Sequence, residues 1–240
     1  MSSHQLTALP YVIKFIPIGF KKQEFDDNDL NLYGFDLDHT LIQPKRPGVI
    51  FARGASDWKF MVFDGRESIE TLVRLVMDDP NAIVVIFTNQ GGVVTIPPNS
   101  KSYQNFTGKI KLMLRHIGKM EGGDILLQRL FIYASTKKPA SLAKKEASAG
   151  KVQNSIGSML QNDTGNVKDV LSKFDLMRKP KIGMAEMFLK DLKSLKGNAK
   201  KWKYYCGDAA GRDKDFSDTD KVFAESLEIE FKTPEDIFHG

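Results

Sequence analysis

Short apolar runs alternate along the chain with longer stretches of helical periodicity. The apolar runs are rich in aromatic and β-branched residues and end at polar or glycine residues, which is typical of buried parallel strands. These strands are expected at residues 32–36, 82–88, 129–135 and 201–208. Amphipathic helices, in which apolar residues recur every three to four positions, are expected at residues 66–79, 109–120 and 183–196. The alternation predicts an α/β fold with a doubly wound, Rossmann-like parallel sheet.

Polar residues cluster where the predicted strands end. Asp36 and Asp38 follow the first strand, Thr88 and Asn89 end the second, and Asp208 ends the last. Ligand sites of doubly wound sheets lie outside the carboxyl ends of the strands. We therefore expect these five side chains to face one site.

Two segments interrupt the alternation of strands and helices. Residues 43–65 are punctuated by proline and glycine and directly follow the first acidic motif, so they predict a small insertion after the first strand. Residues 137–170 are rich in Lys, Ala, Ser and Asn and predict a surface loop with a short helix. A chain of 240 residues is long enough for one large α/β domain, and we predict a single domain over residues 1–240 that carries both insertions.

The composition is that of a soluble globular protein, with 41% hydrophobic and 27% charged residues. No apolar run approaches the length of a membrane span, and the first residues lack the basic region and cleavage site of a signal peptide, so we expect neither membrane insertion nor secretion. The single cysteine, Cys206, excludes an internal disulfide and a zinc cluster built from cysteines.

The chain is basic, with a net charge of +5 and a pI near 9.1. Scattered lysines most often form only a solvated surface. A polyanionic partner such as nucleic acid is the alternative, and it requires support from the site itself.

The acidic strand ends have the chemistry of a magnesium site. Asp36, Asp38 and Asp208 would supply carboxylate oxygens, the ligands that Mg²⁺ prefers. The metal would offset the repulsion between the carboxylates and hold a phosphate oxygen. A lone Asp-x-Asp is more often a turn or a helix N-cap, but three acidic strand ends at one edge of a sheet favour the metal site.

Four motifs, in order, resemble those of the haloacid dehalogenase superfamily of phosphohydrolases. They are GFDLDHTLI (34–42), VIFTNQGG (85–92), RKPKIGM (178–184) and CGDAAGRDKDFSDTD (206–220). Together with SDW (56–58) and TPEDIF (233–238), their wording is similar to the phosphatase domain of the polynucleotide kinase/3'-phosphatase family, from about Leu9 to the last residues. The sequence contains no GxxxxGK[ST] loop, so the resemblance is to the stand-alone, fungal-type phosphatase branch without the kinase.

This resemblance implies a role for each motif residue. Asp36 would be the nucleophile that forms an aspartyl-phosphate, and Asp38 the general acid and then the base. Mg²⁺ would be held by Asp36, the backbone carbonyl of Asp38, and Asp208. Thr88 and Asn89 would bind the phosphate.

The third motif offers two further basic residues. Lys179 would neutralise charge on the phosphoryl group, and Arg178 would grip a substrate phosphate. Lys138 also precedes a proline and is the alternative to Lys179, which we prefer because an amphipathic helix begins directly after it.

Two positions in these motifs stay open. Asp213, Asp215 and Asp218 all follow Asp208, and any of them could support the metal or cap the next helix. His39 stands where the resembled family more usually has glycine, which we interpret as a tolerated variation.

The resemblance implies a Mg²⁺-dependent polynucleotide 3'-phosphatase of DNA repair, nuclear and monomeric, that acts on single-stranded or frayed DNA 3' ends. Lys45, Arg46, Arg53 and Trp58 of the insertion are candidate contacts to the strand. The alternatives are a phosphatase of small metabolites on the same fold and a non-catalytic protein that binds DNA ends.

Overall fold

The computed structural model describes residues 2–20, 30–97, 99–139, 167–195 and 199–239. Its centre is a seven-stranded sheet in the order β1-β2-β9-β8-β3-β10-β11, in which the five strands from β9 to β11 are parallel. These strands are β1 (His4–Ala8), β2 (Val12–Pro17), β3 (Leu30–Phe35), β8 (Ala82–Asn89), β9 (Leu130–Ser135), β10 (Ala199–Cys206) and β11 (Phe231–Lys232). The predicted α/β class and all four predicted parallel strands are confirmed.

Helices cover both faces of the sheet. The helices are α1 (Ser68–Asp78), α2 (Lys101–Ile117), α3 (Gly123–Arg129), α4 (Val167–Met177), α5 (Gly183–Ser194), α6 (Thr219–Ser226) and α7 (Pro234–Phe238). The apolar sides of α1, α2 and α3 pack into the core on one face, while those of α4, α5 and α6 pack into the core on the other. No helix of the described residues combines the length and apolar character that crossing a membrane requires.

The sequence explains why β8 lies at the centre of this arrangement. Its first seven residues, AIVVIFT, are all buried, as expected for a strand covered by helices on both faces. In α1, Ile69, Leu72, Val73 and Val76 form the buried stripe that the helical period predicts.

Two antiparallel strands at one edge were not predicted. β1 pairs with β2, and β2 pairs with β9, both antiparallel, so the sheet is mixed. The parallel sheet predicted from the alternation therefore needs this correction. The prediction depended on the alternation of strands with helices, and it missed the hairpin because the hairpin contains no helix. Antiparallel strands are common at the edges of otherwise parallel sheets.

The segment after β3 forms two small ladders outside the main sheet. β4 (Ile42–Gln43) pairs with β5 (Lys59–Phe60), and β6 (Val62–Phe63) pairs with β7 (Arg66–Glu67). The predicted loop at 137–170 lies for the most part outside the described residues.

The order of the strands places a topological switch at β3. The chain passes from β3 to its neighbour β8 and then to β9, and later returns to β10 on the other side of β3. The ends of β3, β8 and β10 therefore meet at the place where such sheets bind ligands.

Candidate active site

The turn after β3 positions the acidic pair. The amide of Asp36 donates to the carbonyl of Cys206 at 2.8 Å, which ties the end of β3 to β10. The amides of Leu41 and Ile42 both donate to the carbonyl of Leu37 at 3.0 Å and close a tight turn around Asp38. Asp36 is 7% exposed, whereas the side chain of Asp38 is 38% exposed.

His39 occupies the left-handed backbone region within this turn, at φ 64°. Glycine adopts that region without steric cost, which explains why the resembled family more usually has glycine at this position. One imidazole nitrogen of His39, Nε2, lies 3.0 Å from the carbonyl of Ile50, so the side chain links the turn to the insertion.

Lys179 is the cation at the centre of the site. Its ammonium, on a residue that is 3% exposed, donates to Asp36 Oδ1 at 2.5 Å, Asp220 Oδ1 at 2.6 Å and Tyr205 Oη at 2.7 Å. Burial alone would lower the pKa of Lys179, but Asp220 and Asp36 outweigh it and raise this pKa. Lys179 therefore stays charged, and Lys138 does not take its place beside Asp36.

Asp220 is a site residue that the sequence interpretation missed. It is 2% exposed, and besides Lys179 its carboxylate accepts from Tyr205 Oη at 3.1 Å and from the amide of Ala209 at 3.1 Å. A methyl group on Gly207 would lie 2.4 Å from Asp220 Cγ, so only glycine fits before Asp208.

Among the described residues, the acidic cluster with Asp36 and Asp208 includes none of the three acidic residues that were considered as metal supports. Asp215 accepts from the amides of Ala210 and Arg212 and pairs with the Arg212 guanidinium at 2.8 Å. Asp218 is the N-cap residue of α6, and Asp213 is exposed. The third carboxylate of the cluster is Asp220, which like Asp36 is buried.

Asp36, Asp208 and Asp220 form a cluster that could hold a metal ion. One oxygen of each carboxylate lies within 4.8 Å of the others. Burial raises the pKa of Asp36 well above its usual range, with Lys179 opposing and the two other carboxylates adding to the rise. Burial and Asp220 likewise raise the pKa of Asp208. Three crowded carboxylates are the oxygen donor set that suits Mg²⁺, so the cluster fits this ion.

Asp38 is held by two residues that the sequence interpretation did not assign. Gln90 donates through Nε2 to Asp38 Oδ2 at 2.7 Å, and Lys109 from α2 donates to Asp38 Oδ1 at 3.3 Å. Lys109 is 8% exposed, although lysine is seldom buried without a partner. A lysine within the apolar stripe of a predicted helix is a signal that could have identified it.

The end of β8 supplies the remaining predicted residues. Thr88 is buried, and its hydroxyl accepts from Gln90 Nε2 at 2.8 Å. The amide group of Asn89 exchanges hydrogen bonds of 3.0 and 2.9 Å with the backbone carbonyl and amide of Lys179, so Asn89 positions the lysine. The predicted phosphate contact of Asn89 stays a prediction. Arg178 is exposed, and its guanidinium lies against Gly91 in the following turn.

The residues of the insertion that were predicted to contact the DNA strand lie in two different surroundings. Arg46 pairs with Asp57 at 3.4 Å, and Asp57 also accepts from the amide of Arg53 at 2.9 Å. Lys45 and Trp58 instead line a groove of about 520 Å³ between the insertion and α2.

Four matches relate the chain to known proteins. The family model described as polynucleotide kinase 3 phosphatase matches residues 31–238. The polynucleotide 3'-phosphatase of Saccharomyces cerevisiae is 46% identical over 99% of this chain and 100% of its own length, and that of Saccharomyces mikatae is 41% identical over 99% and 96%. The solved D,D-heptose 1.7-bisphosphate phosphatase from B. bronchiseptica, complexed with magnesium and phosphate, has a TM-score of 0.45 at 15% identity and covers 85% of this chain and 78% of its own.

Proposed function

The chain belongs to the polynucleotide kinase 3 phosphatase family, and on this premise we propose that it removes the 3'-phosphate from polynucleotide ends. The observation that carries the proposal is the pairing of two unlike carboxylates at the switch point of the sheet. Asp36 is buried against Lys179, and Asp38, two residues later, is partly exposed beside Gln90. Hydrolysis of a phosphomonoester through a covalent intermediate needs one carboxylate that stays ionised and one that exchanges a proton.

In the first step, a carboxylate oxygen of Asp36 attacks the phosphorus atom and the bond from phosphorus to the 3' oxygen breaks. Asp38 gives its proton to the departing oxygen, and an aspartyl-phosphate remains on Asp36. Lys179 counters the negative charge of the phosphoryl group, and the Thr88 hydroxyl donates to one of its oxygens.

In the second step, water attacks the phosphorus atom of the aspartyl-phosphate. Asp38, now ionised, accepts the proton of this water, and the bond between Asp36 and phosphorus breaks. Inorganic phosphate leaves, and both carboxyl groups return to their starting states. Gln90 and Lys109 fix the position of Asp38 for both transfers.

Asp36, Asp208 and Asp220 would hold Mg²⁺, together with the backbone carbonyl of Asp38 that the family resemblance implies. When bound, the ion supplies positive charge that neutralises the carboxylates and the phosphate. Burial raises the pKa of Asp36, so a second cation beside Lys179 favours the ionised form that the attack requires.

We propose DNA as the polynucleotide and a single-stranded or frayed 3' end as the form that enters the site. Asp36 is buried, so the scissile phosphate must pass below the surface at the carboxyl ends of the strands to reach it. The end of an intact duplex would not fit there. With this substrate we propose a nuclear role in DNA repair by a monomeric, single-domain enzyme.

The test is a Mg²⁺-dependent assay of phosphate release from three substrates. We expect release from a 3'-phosphorylated oligonucleotide, and little from a 5'-phosphorylated one or from free sugar phosphates. Equal rates on sugar phosphates, with no dependence on oligonucleotide length, would instead identify a phosphatase of small metabolites. Binding of DNA ends without release of phosphate would indicate a non-catalytic end-binding protein.

Substitutions separate the two carboxylates. Asp36→Asn should abolish turnover on every substrate. Asp38→Asn should slow release from a sugar hydroxyl much more than from an activated aryl phosphate, whose leaving group needs no proton. Equal losses on both kinds of substrate would contradict the general-acid role of Asp38.

A further inference from the structure

The groove between the insertion and α2 is lined by positively charged side chains that have no role in the proposed chemistry. Lys45 and Lys59 line its insertion side, and Arg115 and Lys119 line the side formed by the end of α2 and the turn after it. We call this the basic groove. None of the residues that line it belongs to the cluster around Asp36.

In the part of the chain that the structure describes, the four cationic groups are not neutralised by ion pairs. Glu67 is the one carboxylate among the lining residues, and it lies 3.7 Å from the imidazole of His116. Within the described part of the chain, no ion pair joins Lys45, Lys59, Arg115 or Lys119 to a carboxylate. Basic residues in the last turn of a helix stabilise the helix dipole, which accounts for Arg115 but not for the two lysines on the opposite wall.

The floor between the cations is apolar and held in place. The Trp58 indole donates to the carbonyl of Ala55 at 3.1 Å and packs edge-on against Phe60, with ring centroids 5.2 Å apart. Leu112 is 36% exposed on the α2 side. A fixed aromatic surface between cationic side chains is the arrangement by which proteins bind single-stranded nucleic acid without reading its sequence.

The groove begins about one helical turn from the lysine that contacts the proposed catalytic acid. Lys109, which contacts Asp38, is three residues before Leu112 and ten before Lys119. At a helical rise of about 1.5 Å per residue, the groove begins roughly 5 Å from the Lys109 position along the axis of α2, and the helix ends roughly 12 Å from it. A nucleotide advances at least about 3.4 Å along a strand, so the far end of this interval corresponds to at most about four nucleotides.

We propose that the basic groove binds the phosphodiester backbone of the cleaved strand, on the 5' side of its terminal phosphate. This inference rests on the proposed function, because it takes the strand that presents the phosphate as the occupant. An enclosed small-molecule site is a poorer fit, since such pockets are mostly apolar and bury their ligand, whereas these four cationic residues are all exposed.

The test compares two groove variants, Arg115→Ala with Lys119→Ala and Lys45→Ala with Lys59→Ala, against a control of equal charge. The control is Lys190→Ala with Lys193→Ala, which removes two exposed lysines of α5 on the other face of the sheet. On a 3'-phosphorylated ten-nucleotide strand, we expect each groove variant to raise KM about tenfold with kcat unchanged, and the control to match the wild type. On a dinucleotide 3'-phosphate, all should match the wild type.

Binding of a ten-nucleotide strand that ends in a 3' hydroxyl provides a readout that needs no turnover. Two lost phosphate contacts should reduce the slope of log affinity against log salt by about 1.4 in each groove variant. Unchanged affinity and slope in both, or an equal loss on the dinucleotide, would overturn the proposal. If the groove variants lost affinity only for a duplex, the groove would contact the complementary strand instead, and the proposal would be wrong.

Failure of the proposed function would look different. In that case the wild-type protein would release no phosphate from any 3'-phosphorylated strand, while the binding experiment would still report on the groove. Thermal unfolding of each variant verifies that it is folded.

Discussion

Among the described residues, every hydrogen-bond partner of the Asp220 carboxylate is a donor: the Lys179 ammonium, the Tyr205 hydroxyl and the Ala209 amide. An ionised carboxylate accepts all three, because it has only acceptor sites. An amide at this position would direct its NH₂ group at one of those donors. The charge of Asp220 is therefore required by its hydrogen-bond partners as well as by the metal that the cluster would hold.

We expect Asp220→Asn to lower the free energy of unfolding by about 1 to 3 kcal/mol, the usual cost of leaving a buried polar group without its partner. Phosphatase activity should fall as well, with a higher Mg²⁺ concentration needed for half of the maximal rate. Urea unfolding and a Mg²⁺ titration measure these effects. Asp218→Asn, two residues earlier and exposed, is the matched control and should change stability by less than about 0.5 kcal/mol.

His39 offers a test of backbone strain at the catalytic turn. Because its φ of 64° is unfavourable for any residue with a Cβ, the His39→Gly variant should be more stable than His39→Ala by about 1 kcal/mol. The same two substitutions at His116, in the last turn of α2, should have the opposite order, since glycine weakens helices. Urea unfolding of the four variants decides the sign at each position.

The residues themselves show how far the sequence could predict the site. Asp36, Asp38, Thr88 and Asp208 stand at strand ends, where the pattern alone placed them. Asp220 was missed because three other acidic residues precede it in the same motif, and the motif alone does not distinguish them. The spacing of Asp220, Phe223 and Ala224, which is that of one buried helix face, is the signal that could have identified it. The contact between Gln90 and Asp38 depends on side-chain positions that no spacing specifies.

At the scale of elements, the hairpin of β1 and β2 contains a buried histidine that contacts β9. His4 is 3% exposed, and its Nε2 lies 2.7 Å from the carbonyl of Leu130 in β9. Burial lowers the pKa of His4 from 6.5 to about 4. The neutral imidazole therefore belongs to the folded state, while the unfolded chain takes up a proton below pH 6.5.

This difference predicts a pH dependence of stability. The contribution of His4 is fully present above pH 6.5 and falls as the pH drops toward 4, because only the unfolded state is then protonated. A shift of this size corresponds to about 3 kcal/mol at most. His4→Gln should flatten the decline in this window when unfolding is followed at several pH values.

At the scale of the whole molecule, the two faces of the sheet have different tasks. The face that carries α1 and α2 includes Lys109 and the basic groove, and the face that carries α4, α5 and α6 is closed by a second apolar core. The alternation of strands and helices predicted this two-faced sheet because burial on both sides requires continuous apolar strands. It could not predict the hairpin edge, which contains no helix.

The crowding of Asp36, Asp208 and Asp220 also makes protons and Mg²⁺ compete for the same oxygens. The pKa values of Asp36 and Asp208 are raised, so acidification protonates these ligands before ordinary carboxylates. Metal binding must release those protons, so the apparent affinity for Mg²⁺ should rise with pH. In pH–rate profiles, the acidic limb should move to lower pH by about one unit per tenfold increase in Mg²⁺ if binding displaces one proton, and by about half a unit if it displaces two. A limb that stays at one pH at every Mg²⁺ concentration would mean that the carboxylates are already ionised without the ion.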